Sequence, residues 1–389
     1  MPTVHEHAHA LTERTVATRR DLHAHPEIAF QEIRTMGVIA ERLRALGLDP
    51  RTGVGGTGVV ALWDTGEPGR TVLARADMDA LPVPDEKSVP YRSTHEGWSH
   101  ACGHDGHVAV LLAVAEVLTA RTDLTGRVAF VFQPAEEIVR GAEAMLADGA
   151  LDGIVPDASV GLHLSSMHPT GVVAVREGPA MAAADSFRFV VHGHGGHAAK
   201  PNETVDPVLV SAHLVLALQA LVSRETDPVD QSVISVTSVH GGTAFNIIPE
   251  SVELKGTLRT FDAETRARLK RRIHEVADGV AATFRATVTA DWTDGSPAVV
   301  NDAGATERLR VVAARVVGAE RVVHNPQIMG GDDMALWLQR APGCYFFVGA
   351  RSGEATAFPH HHPRFDLDEA ALPIAVELFA EAVIDRLRA

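Results

Sequence analysis

A cysteine and a histidine lie two residues apart in a segment that could hold a metal ion. Cys102 and His104 flank a glycine and precede an apolar run, Val108–Leu118, that predicts a buried helix. Thiolate and imidazole are both ligands of divalent metals, and a helix N-terminus favours the ionised form of a thiol. The segment therefore indicates a metal site. A cysteine nucleophile with a histidine base, or a simple turn, stays open as an alternative.

Two adjacent glutamates follow a strand-like run. Glu136 and Glu137 come shortly after Arg127–Phe132, which is rich in β-forming residues. Ligands of α/β sheets bind outside the carboxyl ends of the strands, so this position favours a functional site over a solvated loop. In such a pair, one glutamate can bind a metal while the other accepts a proton from water.

Three further residues gain interest from their positions. His163 ends the apolar run Ala158–Leu164, where a lone histidine is more often a core residue than a ligand. Asp77 follows the run Thr71–Ala76 and could orient a ligand histidine, with a turn or a helix cap as the alternative. His361 is the middle one of three consecutive histidines, of which only one or two can face a site. With the cysteine and the glutamates, these residues have the chemistry of a hydrolytic metal site.

The elements predicted around these residues alternate between strand and helix. Strands that are apolar on both faces are predicted at 57–62, 71–76, 127–132, 158–164 and 344–349. Helices are predicted at 11–47, with a break at His25-Pro26, and at 108–118, 142–147, 306–317 and 368–388. This pattern is typical of an α/β domain with a mixed, largely parallel sheet that is covered by helices.

A different order of elements begins near residue 182. The order predicted there is β-α-β-β-α-β, with strands at 185–192, 232–240, 251–261 and 287–292 and helices at 207–222 and 265–284. This is the ferredoxin-like arrangement. We therefore predict a catalytic domain formed by residues 1–181 and 295–389, interrupted by an inserted ferredoxin-like domain at 182–294.

Composition restricts the classes of protein that fit. The chain has 389 residues and a formal net charge of −15, which argues against a nucleic-acid-binding surface. Its two cysteines exclude a disulfide scaffold and fit a reducing compartment. The N-terminus has no apolar signal-peptide core, and no window approaches the roughly 20 apolar residues that span a bilayer. We expect a cytoplasmic protein without a membrane or nucleic-acid partner.

A run of alternating histidines lies at the start of the chain. His5, His7 and His9 could bind a metal, but the end of a chain is usually frayed. We therefore expect this run to be incidental.

Nine segments, in order along nearly the whole chain, resemble the motifs of one enzyme family. They are LHAHPEIAFQE (22–32), RADMDALP (75–82), HACGHDGHVAVLL (100–112), FQPAEE (132–137), GLH (161–163), GHGGHAAKP (193–201), GGTAFNIIPE (241–250), GTLRTF (256–261) and HHPRFD (361–366). The chain resembles the zinc-peptidase family of aminoacylases and glutamate carboxypeptidases. Within that family it is most similar to the amidohydrolase branch, which includes hippurate hydrolases and indole-3-acetyl-amino-acid hydrolases. The resemblance implies a catalytic α/β domain interrupted by a ferredoxin-like dimerisation domain, and a homodimer or higher homo-oligomer.

The resemblance also implies a site with two divalent metal ions. The ligands would be Cys102, His104, Glu137, His163 and His361. The metals would be zinc or manganese, with cobalt or nickel as further candidates. His361 is chosen because the branch pattern is His-x-Pro, while His360 and His362 stay open as alternatives. Glu136 would be the general base that takes a proton from water and passes it to the leaving amine.

Three residues of the inserted segment match further functional positions of the family. His197 matches a histidine that reaches the active site of the partner subunit and helps to hold the oxyanion. Asn246 and Arg259 match positions that bind the substrate carboxylate.

One motif departs from the family pattern. Relatives often have Gly-x-Glu-Asp-Phe where this chain has Gly-Gly-Asp-Asp-Met at 330–334, and we expect this difference to reshape the pocket wall.

The resemblance implies hydrolysis of the amide bond of N-acyl or N-aroyl amino acids, which releases a carboxylic acid and a free amino acid. A dipeptidase or carboxypeptidase-type metallopeptidase is disfavoured because peptidase relatives more often have aspartate at the position of Cys102. A non-catalytic metal-binding protein is disfavoured because Glu136 is retained. A hydrolase with Cys102 as nucleophile would stay active after removal of metal.

Overall fold

The protein, seen in a computed structural model that describes residues 2–389, alternates strands and helices along the chain. The strands are β1 (Arg51–Val54), β2 (Gly58–Asp64), β3 (Thr71–Asp77), β4 (Arg127–Gln133), β5 (Ala158–Pro169), β6 (Val173–Val175), β7 (Gly178–Met181), β8 (Ala183–His192), β9 (Gly196–His197), β10 (Ser232–Gly241), β11 (Ile247–Ile248), β12 (Ser251–Thr260), β13 (Thr287–Thr293), β14 (Val299–Asn301), β15 (Val322–His324) and β16 (Gly343–Arg351). The helices are α1 (Val4–Ala10), α2 (Thr12–Ala24), α3 (Ile33–Ala45), α4 (His104–Thr119), α5 (Gly141–Ala147), α6 (Pro207–Ala220), α7 (Ala263–Thr283), α8 (Ala303–Val317), α9 (Met334–Leu338) and α10 (Ala371–Leu387).

The chain divides into two units. The first comprises the chain up to Ala180 together with Val299–Gln327 and Asp332–Ala389, and the second comprises Met181–Ala298 and Ile328–Gly331. The second unit therefore extends past the predicted limit at residue 294 and includes a short segment near residue 330.

The first unit is built on an eight-stranded sheet in the order β1-β2-β4-β3-β5-β16-β6-β15. Parallel pairings join β4 to β3, β3 to β5, β5 to β16 and β6 to β15, and the other neighbours are antiparallel. The predicted α/β class, with a large mixed sheet covered by helices, is confirmed.

Helix α4 is the central helix of this unit. It is apolar on all sides, and its residues from His104 to Ala115 are buried. It lies between strand β3 and the helices α1, α2, α3 and α10. A helix that is surrounded in this way needs no polar face, so the apolar run that predicted it is explained by its position.

Helix α1 is anchored at both its start and its apolar face. The side chain of Thr3 accepts from the backbone N–H of Glu6, and the side chain of Glu6 accepts in return from the backbone N–H of Thr3. Val4 and Ala8 are buried in the core of the unit, and the helix packs against α10. The expectation of a frayed chain start was therefore wrong.

The second unit contains a four-stranded antiparallel sheet in the order β10-β12-β8-β13. With α6 after β8 and α7 after β12, the connectivity is ferredoxin-like. Its core joins buried residues of the sheet to those of α6 and α7. Contrary to the expectation from the sequence, the helical segment Pro207–Glu225 is long and apolar enough to cross a membrane by length and composition alone, and 33% of its most apolar 18-residue window is buried.

Candidate metal centre

The carboxyl ends of neighbouring parallel strands bring several predicted site residues to one place. Asp77 is the last residue of β3 and pairs with Gln133, the last residue of β4. On the other side of β3, Arg75 pairs with Gly161 of β5, so His163 lies level with Asp77. Strand β5 continues beyond His163, which therefore lies within a strand and not at its end.

A glycine at the start of α4 sets the positions of Cys102 and His104. Gly103 has a φ of +94°, which L side chains rarely adopt, and an added Cβ would lie 3.1 Å from the side chain of Leu367. Cys102 precedes this turn, and His104 is the first helical residue. Sγ of Cys102 lies 3.5 Å from Nε2 of His163, and both side chains are buried.

His104 and Glu137 each present a buried atom without a hydrogen-bond partner among the described residues. Nδ1 of His104 donates to the backbone oxygen of Asp79 at 2.9 Å, which leaves the lone pair of Nε2 free. This Nε2 is 3.9 Å from Oε1 of Glu137. Buried polar atoms without partners are costly, and a cation between these two atoms would satisfy both. The residues present therefore fit a metal ion.

Beside the group of Asp77, His104 and His107, three further overlapping groups of potential ligands surround these atoms, each with ligand atoms within 4.8 Å of one another. They are Cys102 with His163 and His360, Cys102 with Glu137 and His361, and His104 with Glu136 and Glu137. Because Cys102 and Glu137 each belong to two groups, the donor set has the capacity for more than one cation. The five predicted ligands all belong to these groups.

Asp77 bonds a histidine other than the predicted ligands. Its Oδ1 lies 2.5 Å from Nδ1 of His107, whose Nε2 accepts the backbone N–H of Leu164 at 2.9 Å. Both ring nitrogens of His107 are thus engaged, so His107 is not available as a ligand. Oδ2 of Asp77 accepts from Arg75 at 2.7 Å and lies 3.7 Å from Nε2 of His104. That Asp77 orients a ligand histidine stays a prediction.

Asp79, which was not among the predicted site residues, holds both glutamates. Its Oδ1 accepts the backbone N–H of Glu136 at 3.0 Å, and its Oδ2 accepts that of Glu137 at 3.0 Å. Its backbone oxygen also receives the hydrogen bond from His104. The sequence did carry one sign of this role. In an extended segment, side chains two residues apart lie on the same side, so Asp79 is expected on the same side as Asp77.

Glu32 supports the same loop from a distant part of the sequence. Its Oε1 accepts the backbone N–H of Ala135 at 3.0 Å, and its Oε2 accepts the hydroxyl of Thr57 at 2.5 Å. Ala135 has a φ of +52°, a strained conformation for a residue with a side chain. Burial raises the pKa of Glu32 to about 7. Glu32 therefore holds the turn that leads into the two glutamates.

The three consecutive histidines point to different neighbours. Nδ1 of His360 lies 3.8 Å from Sγ of Cys102, whereas Nε2 of His361 lies 3.3 Å from Oε2 of Glu137. Nδ1 of His362 accepts the backbone N–H of Arg364 at 3.0 Å. His360 and His361 therefore both reach the donor set, and the structure gives His362 other contacts.

The Cys102 thiol and the two adjacent glutamates have raised pKa values. Burial, followed by the charge of Glu137, raises the pKa of the Cys102 thiol well above its usual range. Burial, followed by the charge of Asp332, does the same for the pKa of Glu136. Burial also raises the pKa of Glu137 to about 7. Buried acids at this density are hard to ionise together, and added positive charge would favour their ionised forms.

Asp332, which departs from the family pattern, and its neighbour Asp333, which matches it, belong to a buried network. The guanidinium of Arg75 lies 3.2 Å from Asp332 and 3.1 Å from Asp333. Asp332 also accepts the hydroxyl of Tyr345 at 2.6 Å, and Asp333 accepts from the side chain of Gln133 at 2.6 Å. The two aspartates therefore fix Arg75 and the end of β4. That the changes at Asp332 and Met334 reshape a pocket wall stays a prediction.

The second unit brings two of its three predicted residues together. His197 in β9 pairs with the residue after Asn246, and the backbone oxygen of Asn246 accepts the N–H of Ala198 at 3.1 Å. His197 and Asn246 are both exposed. Arg259 lies in β12, where its guanidinium donates to the backbone oxygens of Asp185 at 3.3 Å and Leu258 at 3.1 Å.

Comparison with known proteins places these features in a family. The chain is 38% identical over 381 residues to an N-acetylcysteine deacetylase of Bacillus subtilis (strain 168), which covers 96% of this chain and 97% of the relative. It is 39% identical to thermostable carboxypeptidase 2 of Saccharolobus solfataricus, with 92% of each chain covered. It is 38% identical to an IAA-amino acid hydrolase of Arabidopsis thaliana, with 96% of this chain and 85% of the relative covered.

A solved structure agrees with these relatives. The crystal structure of a dinuclear metal-binding peptidase of the M20 family from Bacillus subtilis superposes with a TM-score of 0.85 at 36% identity, covering 98% of this chain and 99% of that one. The family model of peptidase family M20/M25/M40 matches residues 73–385, which include each residue proposed above as a ligand. The chain belongs to peptidase family M20/M25/M40 and is a hydrolase of amide bonds.

Proposed function

We propose that the protein hydrolyses N-acyl or N-aroyl amino acids with a centre of two divalent metal ions. The observation that carries this proposal is the pair of partnerless buried atoms, Nε2 of His104 and Oε1 of Glu137. Cys102, His163 and His361 complete the proposed ligand set. Cys102 and His361 form a group with Glu137, and His163 forms a second group with Cys102. When bound, two such ions would polarise the amide carbonyl and acidify water.

Glu136 is the proposed general base. Its backbone is fixed by Asp79, and its Oε2 lies 3.8 Å from Nε2 of His104, beside the proposed metal ligands. Burial, followed by the charge of Asp332, raises its pKa, so its carboxylate has a higher proton affinity than an exposed one, as a group that takes up a proton requires. Glu136 would accept a proton from the attacking water and donate it to the leaving amine.

The metals proposed are zinc or manganese, with cobalt or nickel as further candidates. The cysteine and the histidines favour zinc because they are soft or borderline ligands, while the carboxylate also suits manganese.

We further propose a cytoplasmic location. Cys102 and Cys344 are both free, which fits a reducing compartment.

The substrate class rests on the relatives whose names specify an acylated amino acid, the deacetylase and the IAA-amino acid hydrolase. In this proposal Asn246 and Arg259 bind the substrate carboxylate, and His197 supports the oxyanion in the active site of a partner subunit. A carboxypeptidase-type activity is the second candidate, and it rests on the relative of that name.

A homodimer or higher homo-oligomer is part of the same proposal. Leu216 of α6 is 70% exposed, and Val208 of α6 and Val239 of β10 are 50% and 52% exposed. Strand β10 lies at the edge of its sheet and can pair with another strand. Apolar exposure next to an open sheet edge supports self-association through this unit. Mass measurement in solution tests this point, and a strict monomer would remove the role of His197 in a partner.

A substrate panel tests the proposed function. Acetyl, benzoyl, succinyl and indoleacetyl amino acids are compared with dipeptides and with peptides that have a free C-terminus, before and after exhaustive chelation and readdition of Zn²⁺ or Mn²⁺. We expect turnover of acylated amino acids that is lost on chelation and restored by metal. Activity that survives chelation would support a Cys102 nucleophile instead. Turnover of peptides alone would support the carboxypeptidase-type candidate.

A further inference from the structure

A second group of metal-ligating side chains shares no residue with the centre described above. His5 and His9 of α1 and Glu377 of α10 have ligand atoms that all lie within 4.8 Å of one another. Nδ1 of His5 is 2.9 Å from Oε2 of Glu377, and Nε2 of His9 is 3.9 Å from the same oxygen. Two imidazoles therefore converge on one carboxylate where the first and last helices pack.

The fold holds the two histidines in this arrangement. Residues four apart lie on one face of a helix, and the ring centroids of His5 and His9 are 4.3 Å apart. The capping box of Thr3 and Glu6 orders the first turn, and the buried Val4 and Ala8 fix the neighbouring face of the helix. Little conformational entropy is left to lose when a ligand binds both rings.

The exposure of the three side chains suits capture of an ion from solvent. The side chains of His5 and His9 are 62% and 44% exposed, whereas that of Glu377 is 12% exposed. Within the described residues, the ion-pair partners of Glu377 are these two histidines, so no lysine or arginine neutralises it. A largely buried carboxylate whose described partners are two imidazoles, and no lysine or arginine, is a group that a bound cation would neutralise.

We propose that His5, His9 and Glu377 bind a borderline divalent transition ion, such as Zn²⁺ or Ni²⁺, and that this ion ties α1 to α10. Metal–nitrogen and metal–oxygen bonds to such ions are about 2.0 to 2.2 Å, so two ligand atoms of one ion lie about 3.0 to 3.5 Å apart. The separations from Oε2 of Glu377, 2.9 Å to Nδ1 of His5 and 3.9 Å to Nε2 of His9, lie just outside this range. Two imidazoles disfavour Ca²⁺ and Mg²⁺, which take oxygen ligands.

Equilibrium dialysis of the full chain at buffered free Zn²⁺ tests this site separately from the catalytic centre. The variants are His5→Gln/His9→Gln and, as a matched control on the same helix, His7→Gln. We expect wild type and the His7→Gln control to bind one equivalent of Zn²⁺ per chain more than the double variant. Equal zinc content in wild type and the double variant would overturn the proposal and leave an ordinary ion pair between histidine and glutamate.

Two further measurements distinguish the loss of a metal ligand from a loss of α1 packing in the double variant. Glu377→Gln removes the ligand from α10 and leaves both histidines in place, and it should also lose the additional equivalent. Added Zn²⁺ should raise the unfolding midpoint of wild type more than that of the double variant, because the ion binds the folded state only. The same rise in both proteins would contradict the site. Amide hydrolysis should be unchanged in all these variants, because none alters a residue of the proposed catalytic centre.

Discussion

Nε2 of His104 faces Oε1 of Glu137 across 3.9 Å, and neither atom has a hydrogen-bond partner among residues 2–389. The two atoms are too far apart to bond each other, yet both can reach one ion between them. Each is placed by Asp79, which bonds Nδ1 of His104 and the backbone of Glu137. Metal affinity should therefore depend on a residue that contributes no ligand atom of its own.

Asp79→Asn tests this dependence. An asparagine side chain keeps one acceptor oxygen, so it can hold the backbone of Glu136 or that of Glu137 but not both. We expect a loss of about 1 to 3 kcal/mol in the free energy of unfolding and a 10- to 100-fold weaker metal affinity. Denaturant unfolding and zinc titration measure the two effects. Asp64→Asn, at an exposed turn, is the matched control, and equal metal affinity in both variants would refute the positioning role.

Glu136→Gln separates proton transfer from metal binding. The amide cannot accept a proton, so we expect kcat to fall by about 100- to 10,000-fold. Metal content should stay at the wild-type level, because the proposed ligand Glu137 is unchanged. Metal analysis and steady-state kinetics on the same preparation check both statements. Glu137→Gln should instead lose metal and activity together. Wild-type turnover in Glu136→Gln would exclude the proposed base.

Single glutamine variants of the three consecutive histidines identify the ligand among them. We expect His361→Gln to lower both metal content and kcat, because Nε2 of His361 lies 3.3 Å from Oε2 of Glu137. His362→Gln is the internal control and should retain both, since the ring of His362 stacks on Phe358. Loss of metal in His360→Gln with full retention in His361→Gln would transfer the role to His360, which lies 3.8 Å from Cys102.

Glu32 should make the stability of the metal-free protein depend on pH. Burial raises its pKa from 4.5 to about 7, so between these values the folded state keeps a proton that the unfolded state has released. The folded state therefore loses stability as pH rises through this range. In Glu32→Gln this contribution is absent. We expect the difference in unfolding midpoint, Glu32→Gln minus wild type, to increase as the pH is raised from 4.5 to 7. A constant difference across this range would show that Glu32 does not titrate in this way.

Much of the first unit could be predicted because its pattern is local. The apolar run at Val108–Leu118 becomes α4, and the run at Arg127–Phe132 becomes β4. The short strands β6, β7, β14 and β15 were not predicted, since three or four residues carry too little periodicity. Helix α1 was missed because its stability comes from α10, at the other end of the chain.

The supporting residues of the site were harder to predict than its ligands. Glu32 bonds Ala135, which is 103 positions away, and Asp79 bonds Glu136, which is 57 positions away. Nothing in the composition or the spacing of one sequence indicates such a pairing. The ligands, by contrast, come from a few residue types because of metal chemistry. A histidine or a cysteine that follows a predicted strand can therefore be predicted as a candidate ligand from its type and position alone.

The position of β16 in the sheet has a consequence for synthesis of the chain. This strand, at residues 343–351, lies between β5 and β6, which precede it by more than a hundred residues and flank it from both sides. While the protein emerges from the ribosome, β5 therefore exposes an unpaired edge until residues 343–351 have been made. The whole second unit can fold during that interval, whereas the first unit stays open in the middle of its sheet. A chain that ends before residue 343 would keep the unpaired edge of β5. This edge can pair with strands of other chains, so we expect the product to aggregate and not to act as a shorter enzyme.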